Sequence, residues 1–384
     1  MSVAQLSIAA APAPKEEAVR SNWQRLSDLP EPLGVAGAFA GETGSAIIVA
    51  GGTNFPQTSL RRGGQKACYA AIHVLIAQDN KYQWIANAGS LPHPLSYGVS
   101  ITTDRGVLII GGCDASRCYP DTYRVNWTPD HGIKIASLPS LPCPLAYMTG
   151  AKIGSVVYIA GGQETVADPH ATAHFLSLDL SQEGTPQFAW HQLTTWPGVA
   201  RIVPASCALG QSDSAAFYLF SGRNVQPNSA SQILTDAYCY HIATHQWETL
   251  PPISPDNSPA RCIMGSTAVA SGPHTLLLLG GDDGILFLEL ERLRGQIAKT
   301  IDPPAREQLN AKLGQMLDNH PGFSKEIVQY DVLSHRYTRA GTLPHPAPIT
   351  TPCILWHGQF LIPSGEIKPG IRSPNVWMGS LRSQ

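Results

Sequence analysis

A hydrophobic run ending in a small residue and a glycine recurs six times along the 384 residues, and this periodicity constrains the fold more than any other feature. The runs occupy residues 47–52, 107–112, 156–162, 217–222, 276–281 and 360–365, and their doublets are spaced by 60, 50, 60, 59 and 84 residues. A second marker precedes most runs: Leu29-Pro30, Leu91-Pro92, Leu141-Pro142, Leu250-Pro251 and Leu343-Pro344, with Trp196-Pro197 in the remaining unit. An aromatic residue follows at a distance in most units, as Trp84, Trp127, Trp190, Trp247 and Tyr337. Each unit therefore reads as strand, turn, strand ending in the doublet, loop, strand, turn, strand. The doublet lets the chain leave the sheet with positive φ and lets neighbouring backbones approach closely.

Four strands per unit of roughly 50 residues form one blade of a propeller. The predicted fold class is all-β, a six-bladed kelch-type β-propeller in one domain over residues 21–384. Composition agrees: 35 Gly and 32 Pro favour turns between short strands. Only 14% of residues are charged, against about 25% in an average soluble domain. The last unit supplies strands near 349–355, 359–363 and 375–380 and lacks a fourth. The segment Asn22-Trp23-Gln24-Arg25-Leu26 carries the missing Trp, so an N-terminal strand is predicted to complete the final blade. Residues 282–326 form an insertion in the fifth blade, where Leu286, Leu290, Leu293 and Ile297 fall at helical spacing. Asp302-Pro303 then starts a second helix carrying Leu309, Leu313 and Leu317.

A net charge of −2 leaves no electrostatic footprint for nucleic acid, and no run of 18 apolar residues spans a bilayer. No nucleic-acid or membrane partner is expected. Residues 1–20 lack a basic start and reach Lys15-Glu16-Glu17 after a short apolar stretch, which reads as a disordered tail on a cytoplasmic protein. The eight cysteines are scattered. Cys113 and Cys118 lack the second pair a zinc site needs, so buried thiols are expected. No paired-His spacing, phosphate-binding loop or nucleophile elbow occurs, and no metal or other cofactor is expected.

In a four-stranded blade the loop after the doublet and the connection to the next blade emerge on one face. All six doublet loops should line one mouth of the central channel, with the helical insertion lying over it. The loop Glu366-Ile367-Lys368-Pro369-Gly370-Ile371-Arg372 gathers a carboxylate, an ammonium and a guanidinium around a Pro-Gly turn. Arg suits a bidentate grip on a substrate carboxylate, and Glu in a partly dry mouth suits a general base. An ion pair across the turn is the structural alternative. Arg201, Arg261 and Tyr97 open first strands, Arg223 and Asn54 follow doublets, and each is either a ligand or a rim residue. Asp282-Asp283 is read as capping the insertion. His93 and His345 occupy matching Leu-Pro-His-Pro turns and are read as turn residues.

The segments Gly34-Val35-Ala36-Gly37, Gly51-Gly52-Thr53-Asn54-Phe55-Pro56, Tyr97-Gly98-Val99-Ser100 and Gly365-Glu366-Ile367-Lys368-Pro369-Gly370-Ile371-Arg372 resemble the N-acetylneuraminate mutarotase, or epimerase, family. The resemblance extends over nearly the whole chain, with the blade order cyclically permuted relative to the best-known members. It implies an isomerase that interconverts the α and β anomers of this acidic sugar. It also implies that Glu366 is the proton acceptor and Arg372 an essential site residue. Arg372 is then the first choice to hold the sugar carboxylate, with Lys368, Arg201, Tyr97, Asn54 and Arg223 as further binding candidates. Members that work in the periplasm carry an export signal, and the periplasm is the alternative compartment implied by the resemblance. A kelch module that docks a protein, and a mutarotase for another acidic sugar, are the competing readings.

Overall fold

The computed structural model describes residues 20–382 apart from 80 and 228; of the expected tail, residues 1–19 lie outside this range. The second strand of each blade is the one that ends in the doublet. Three of them, Ala46–Ala50, Gly106–Ile110 and Ala216–Phe220, are buried along their whole length. Such strands face a neighbouring blade on both sides, so they read as continuous apolar runs and not as alternating ones.

Six antiparallel four-stranded sheets result. Blades 1 to 5 follow chain order, for example Phe39–Thr43, Ala46–Ala50, Ala71–Gln78 and Lys81–Ser90 in blade 1. Blade 6 has Ile354–Trp356, Gln359–Pro363 and Val376–Arg382, and Arg20–Arg25 adds the outermost strand. The register runs from Arg20 opposite Arg382 to Arg25 opposite Trp377. Two chain ends are thereby laced into one sheet.

Six apolar clusters among the described residues fill the space between blades, one for each adjacent pair, and two smaller ones lie around Tyr97 and around Ile202. The cluster between blades 3 and 4 is the most aromatic, with Tyr158, Phe175, Trp196, Phe217 and Tyr240. Fourth-strand aromatics add a polar staple across five of the six junctions. Trp84, Trp190, Trp247 and Trp23 donate indole N–H groups to the carbonyls of Ser27, Pro139, Thr194 and Thr342, and the Tyr337 hydroxyl donates to Pro251 O. Four of the acceptors lie on the connection entering that blade and Thr342 ends the strand just before it, which explains why the aromatic and Leu-Pro markers recur together.

A closed ring of backbone hydrogen bonds narrows one end of the channel. Gly37 N–H donates to Thr350 O, Tyr97 to Gly37, Tyr147 to Tyr97, Val203 to Tyr147, Gly265 to Val203 and Thr350 to Gly265, at 2.6–2.9 Å. All six residues have positive φ. Four are not glycine, and Val203 (48°) and Thr350 (51°) are β-branched, for which this conformation is strained. The cost is held by the six-fold closure, since relaxing one position breaks two bonds of the ring. Below it, the first strands line a channel of about 220 Å³.

The insertion forms helices α1 (Ile285–Lys299) and α2 (Pro303–Asp318). The Asp302 carboxylate caps α2 by accepting Ala305 N–H at 3.0 Å. No helix among the described residues is long and apolar enough to cross a membrane.

Candidate active site

The residue after each doublet pairs with the residue just before each ring position: Thr53 with Ala36, Cys113 with Ser96, Gln163 with Ala146, Arg223 with Ile202, Asp282 with Met264 and Glu366 with Ile349. These six equivalent positions crown the mouth. Blades 1 to 3 offer neutral groups there, whereas blades 4, 5 and 6 offer Arg223, Asp282 and Glu366. A polarised mouth follows from the sequence of the loops alone.

The blade 6 loop is a small hairpin, Glu366–Lys368 against Ile371–Arg372, with Glu366 and Arg372 directly opposed. Glu366 Oε1 accepts the Gly370 N–H at 2.7 Å and lies 3.3 Å from Arg372 Nη1. The ion pair and the site are thus the same pair of residues. The Arg372 side chain is only 3% exposed, and its guanidinium sits 4.8 Å from the centre of the Phe55 ring. Its Nη2 reaches Tyr97 Oη at 3.4 Å, while Nε and Nη1 find no hydrogen-bond acceptor among the described residues. Nη1 meets Glu366 as a charge contact without hydrogen-bond geometry. A buried guanidinium with two unserved N–H groups calls for an anionic ligand.

Tyr97 and Tyr147 stack at 4.5 Å, and Lys66 Nζ lies 4.9 Å from the Tyr97 ring centre. These three residues, with Ser96, Cys113 and Asp114, line a cavity of about 460 Å³. That falls within the roughly 300–1,000 Å³ usual for small-molecule sites. Burial pushes both phenols up, so they stay protonated donors. Asp282 is raised to about 6, chiefly by burial, with the charges of Asp283 and Glu366 adding to it and Arg223 opposing. It also accepts the Gly284 N–H at 2.9 Å, so it caps the turn into α1 as the sequence suggests while facing the mouth.

The insertion is moored on both flanks of this mouth. On α1, Glu291 accepts from Ser231 N and Oγ at 2.9 and 2.7 Å, and Arg223 lies 3.8 Å from it. At the end of α2, Asp318 pairs with Arg61 of the blade 1 loop. His320 follows α2, its imidazole pushed down by burial and by nearby Lys368.

Not every predicted site residue faces the mouth. Arg201 is fully buried and forms a bidentate pair with Asp236 at 2.9 and 3.0 Å, between Trp196 and Tyr238. Its terminal nitrogens are committed to protein acceptors, so it is a blade staple and not a ligand. Arg261 likewise pairs with Glu326. Asn54 is buried, donating to Gly34 O at 2.9 Å and accepting from Tyr69 at 2.7 Å, which engages both ends of its amide within the protein. Arg223 borders the mouth but is engaged with Ser231 and Glu291 and packs on Phe287. Sequence reasoning missed Lys66, Phe55 and Tyr147. Tyr147 carried a signal, because Pro94-Leu95-Ser96-Tyr97 recurs as Pro144-Leu145-Ala146-Tyr147.

The N-acetylneuraminate epimerase family description matches residues 7–131 and 138–384. N-acetylneuraminate epimerase from Haemophilus influenzae is 24% identical over 249 residues, covering 64% of this chain and 60% of that protein. The Yersinia enterocolitica epimerase is 26% identical over 63% of this chain and 57% of its own length. N-acetylneuraminate epimerase 1 of Escherichia coli is 25% identical over 64% and 60%. These alignments therefore span about three fifths of the relatives. The solved structure of YjhT superposes with a TM-score of 0.63 at 14% identity, over 93% of this chain and 99% of that one, which is a likeness of fold.

Proposed function

Because the chain belongs to the N-acetylneuraminate epimerase family, we propose that it interconverts the α and β anomers of N-acetylneuraminate by acid–base ring opening and reclosure at this mouth. The observation that carries the reading is the adjacency of Glu366 to Arg372, whose buried guanidinium has two unserved nitrogens. The carboxyl carbon of this sugar is bonded directly to its anomeric carbon. An arginine that grips the carboxylate therefore delivers the anomeric hydroxyl to a base 3.3 Å away.

In the proposed reaction Glu366 takes the proton of the anomeric hydroxyl as the bond from the anomeric carbon to the ring oxygen breaks. Asp282 gives its proton to that oxygen, and a keto acid with an open chain results. Rotation about the bond next to the carbonyl presents its other face. Closure returns the proton from Glu366 to the carbonyl oxygen and restores that of Asp282. An Asp282 carboxyl raised to about 6 by burial suits the acid's role, and Glu366, held beside Arg372, is given the base's. Arg372 and Lys66 supply positive charge for the substrate carboxylate, and Tyr97 and Tyr147 give a stacked wall for the ring. Lys368, whose charge helps push the His320 imidazole down, is kept as a further candidate for the substrate carboxylate.

Glu366→Gln tests the reading, since it keeps the acceptor for Gly370 N–H and the shape of the hairpin. It should fold normally and lose about 10²–10⁴-fold in catalysis. Undiminished activity would remove Glu366 from the mechanism.

A further inference from the structure

In several blades a residue on the incoming connection reaches the residue that opens the third strand. His93 Nε2 lies 3.1 Å from Asp121 Oδ2, Arg201 pairs with Asp236 at 2.9 Å, and Arg261 pairs with Glu326. The third-strand partners are equivalent, because the first residue of each doublet donates its N–H to the carbonyl of Asp121, Asp236 and Glu326. In blade 3 that carbonyl belongs to His174, at 2.8 Å from Gly161 N. Its partner is Cys143, in a Leu141-Pro142-Cys143-Pro144 turn that repeats Leu91-Pro92-His93-Pro94. Here no charge pair forms. Instead Cys143 Sγ lies 3.6 Å from His174 Nε2, and Glu164 Oε1 lies 2.9 Å from the same nitrogen.

Three donor atoms of different chemistry converge within 4.8 Å of one another. Nε2 carries one proton or one lone pair, so one hydrogen bond satisfies it and leaves the other neighbour over. A tetrahedral ion at about 2.3 Å from sulfur and about 2.0 Å from nitrogen would separate those atoms by about 3.5 Å. The observed 3.6 Å matches without movement. Glu164, 38% exposed, has room to swing outward by the few tenths of an ångström its oxygen needs. His174 Nδ1 faces Gln192 Oε1 at 3.4 Å, a second contact that would hold the ring with its Nε2 lone pair toward the ion.

We propose that Cys143, Glu164 and His174, none of which lines the cavity of Tyr97 and Tyr147, form a binding site for one borderline-soft divalent ion of the zinc class. Water would take the fourth position, reached from the cleft of about 780 Å³ that Glu164 lines. The ion would fasten the connection entering blade 3 to that blade's third strand, where blades 4 and 5 use an Arg–carboxylate pair. The spacings of 31 and 10 residues match no ligand motif, so only the fold reveals the set.

The test is titration of the reduced full chain with Co²⁺, followed by Zn²⁺ in competition. One equivalent of Co²⁺ should produce a thiolate-to-cobalt charge-transfer band that Zn²⁺ removes. The band should be lost in Cys143→Ser, kept in Cys113→Ser, and need at least tenfold more Co²⁺ in His174→Ala. Near-ultraviolet dichroism and anomer exchange should be unchanged in Cys143→Ser, which separates loss of the ligand from loss of the fold. No band in the unaltered chain, or an equal band in Cys143→Ser, overturns the proposal.

Discussion

Asp282 shows how one residue acquires a role that its neighbours in sequence do not disclose. Read along the chain, Asp282-Asp283 is a cap, and both do accept N–H groups at the start of the insertion, from Gly284 and Ile285. The propeller adds what the chain order hides, placing Asp282 at the blade position that Glu366 holds next door. Its carboxyl, raised to about 6, is protonated in the folded state where an ordinary one is ionised. A raised folded pKa contributes stability below the ordinary carboxylate range, and that contribution is lost as pH rises through about 6. The shift of about two units corresponds to roughly 3 kcal/mol at most. Asp282→Asn should therefore gain stability over the parent at pH 8 but not at pH 4, measured by urea unfolding. As the acid, Asp282 should also make kcat/KM fall about tenfold per unit above pH 6. A flat profile between pH 5 and 8 would contradict that role. Glu366 and Arg372 were legible in sequence because they stand together in a chain poor in charge. Arg201 was misplaced because its true partner, Asp236, lies 35 residues away.

At the scale of strands and helices, the repeat is a recipe for junctions between blades more than for blades themselves. The Leu-Pro marker brings in a connection, and the aromatic residue of the fourth strand binds that connection's carbonyl. Tyr337 does this with a hydroxyl where four other blades use indole, its oxygen 3.0 Å from Pro251 O. Tyr337→Phe removes one buried hydrogen bond and should cost about 1 kcal/mol in denaturant unfolding. No change would show the staple to be idle. The amphipathic spacing of 286–297 and the Asp302-Pro303 start predicted the two helices, and α1 buries Leu290 and Leu293 as that pattern requires. Their moorings, Glu291 to the blade 4 loop and Asp318 to Arg61, were not readable. They join segments 60 or more residues apart, and neither belongs to the repeat.

The whole molecule is a ring, and a ring is held where it closes. Arg20–Arg25 pairs with Val376–Arg382 over six residues, and Leu26 N–H continues the lacing to Val376 O. Deleting residues 21–26 should expose the blade 6 sheet and the apolar cluster it shares with blade 1, lowering Tm sharply. An unchanged melt would contradict closure by this strand. The count of blades and the closing strand followed from doublets, markers and one stray Trp, since these are consequences of repetition. The hydrogen-bonded ring at the channel mouth did not, because its members share positive φ and not residue type. That ring seats Tyr97 against Arg372, with Tyr147 stacked on Tyr97. The claim that this site interconverts sialic acid anomers is tested most directly by proton NMR, with α-N-acetylneuraminate released in the tube by a sialidase. A catalytic amount of the protein should speed the approach to anomeric equilibrium above the buffer rate. A rate equal to that of buffer alone would contradict the account.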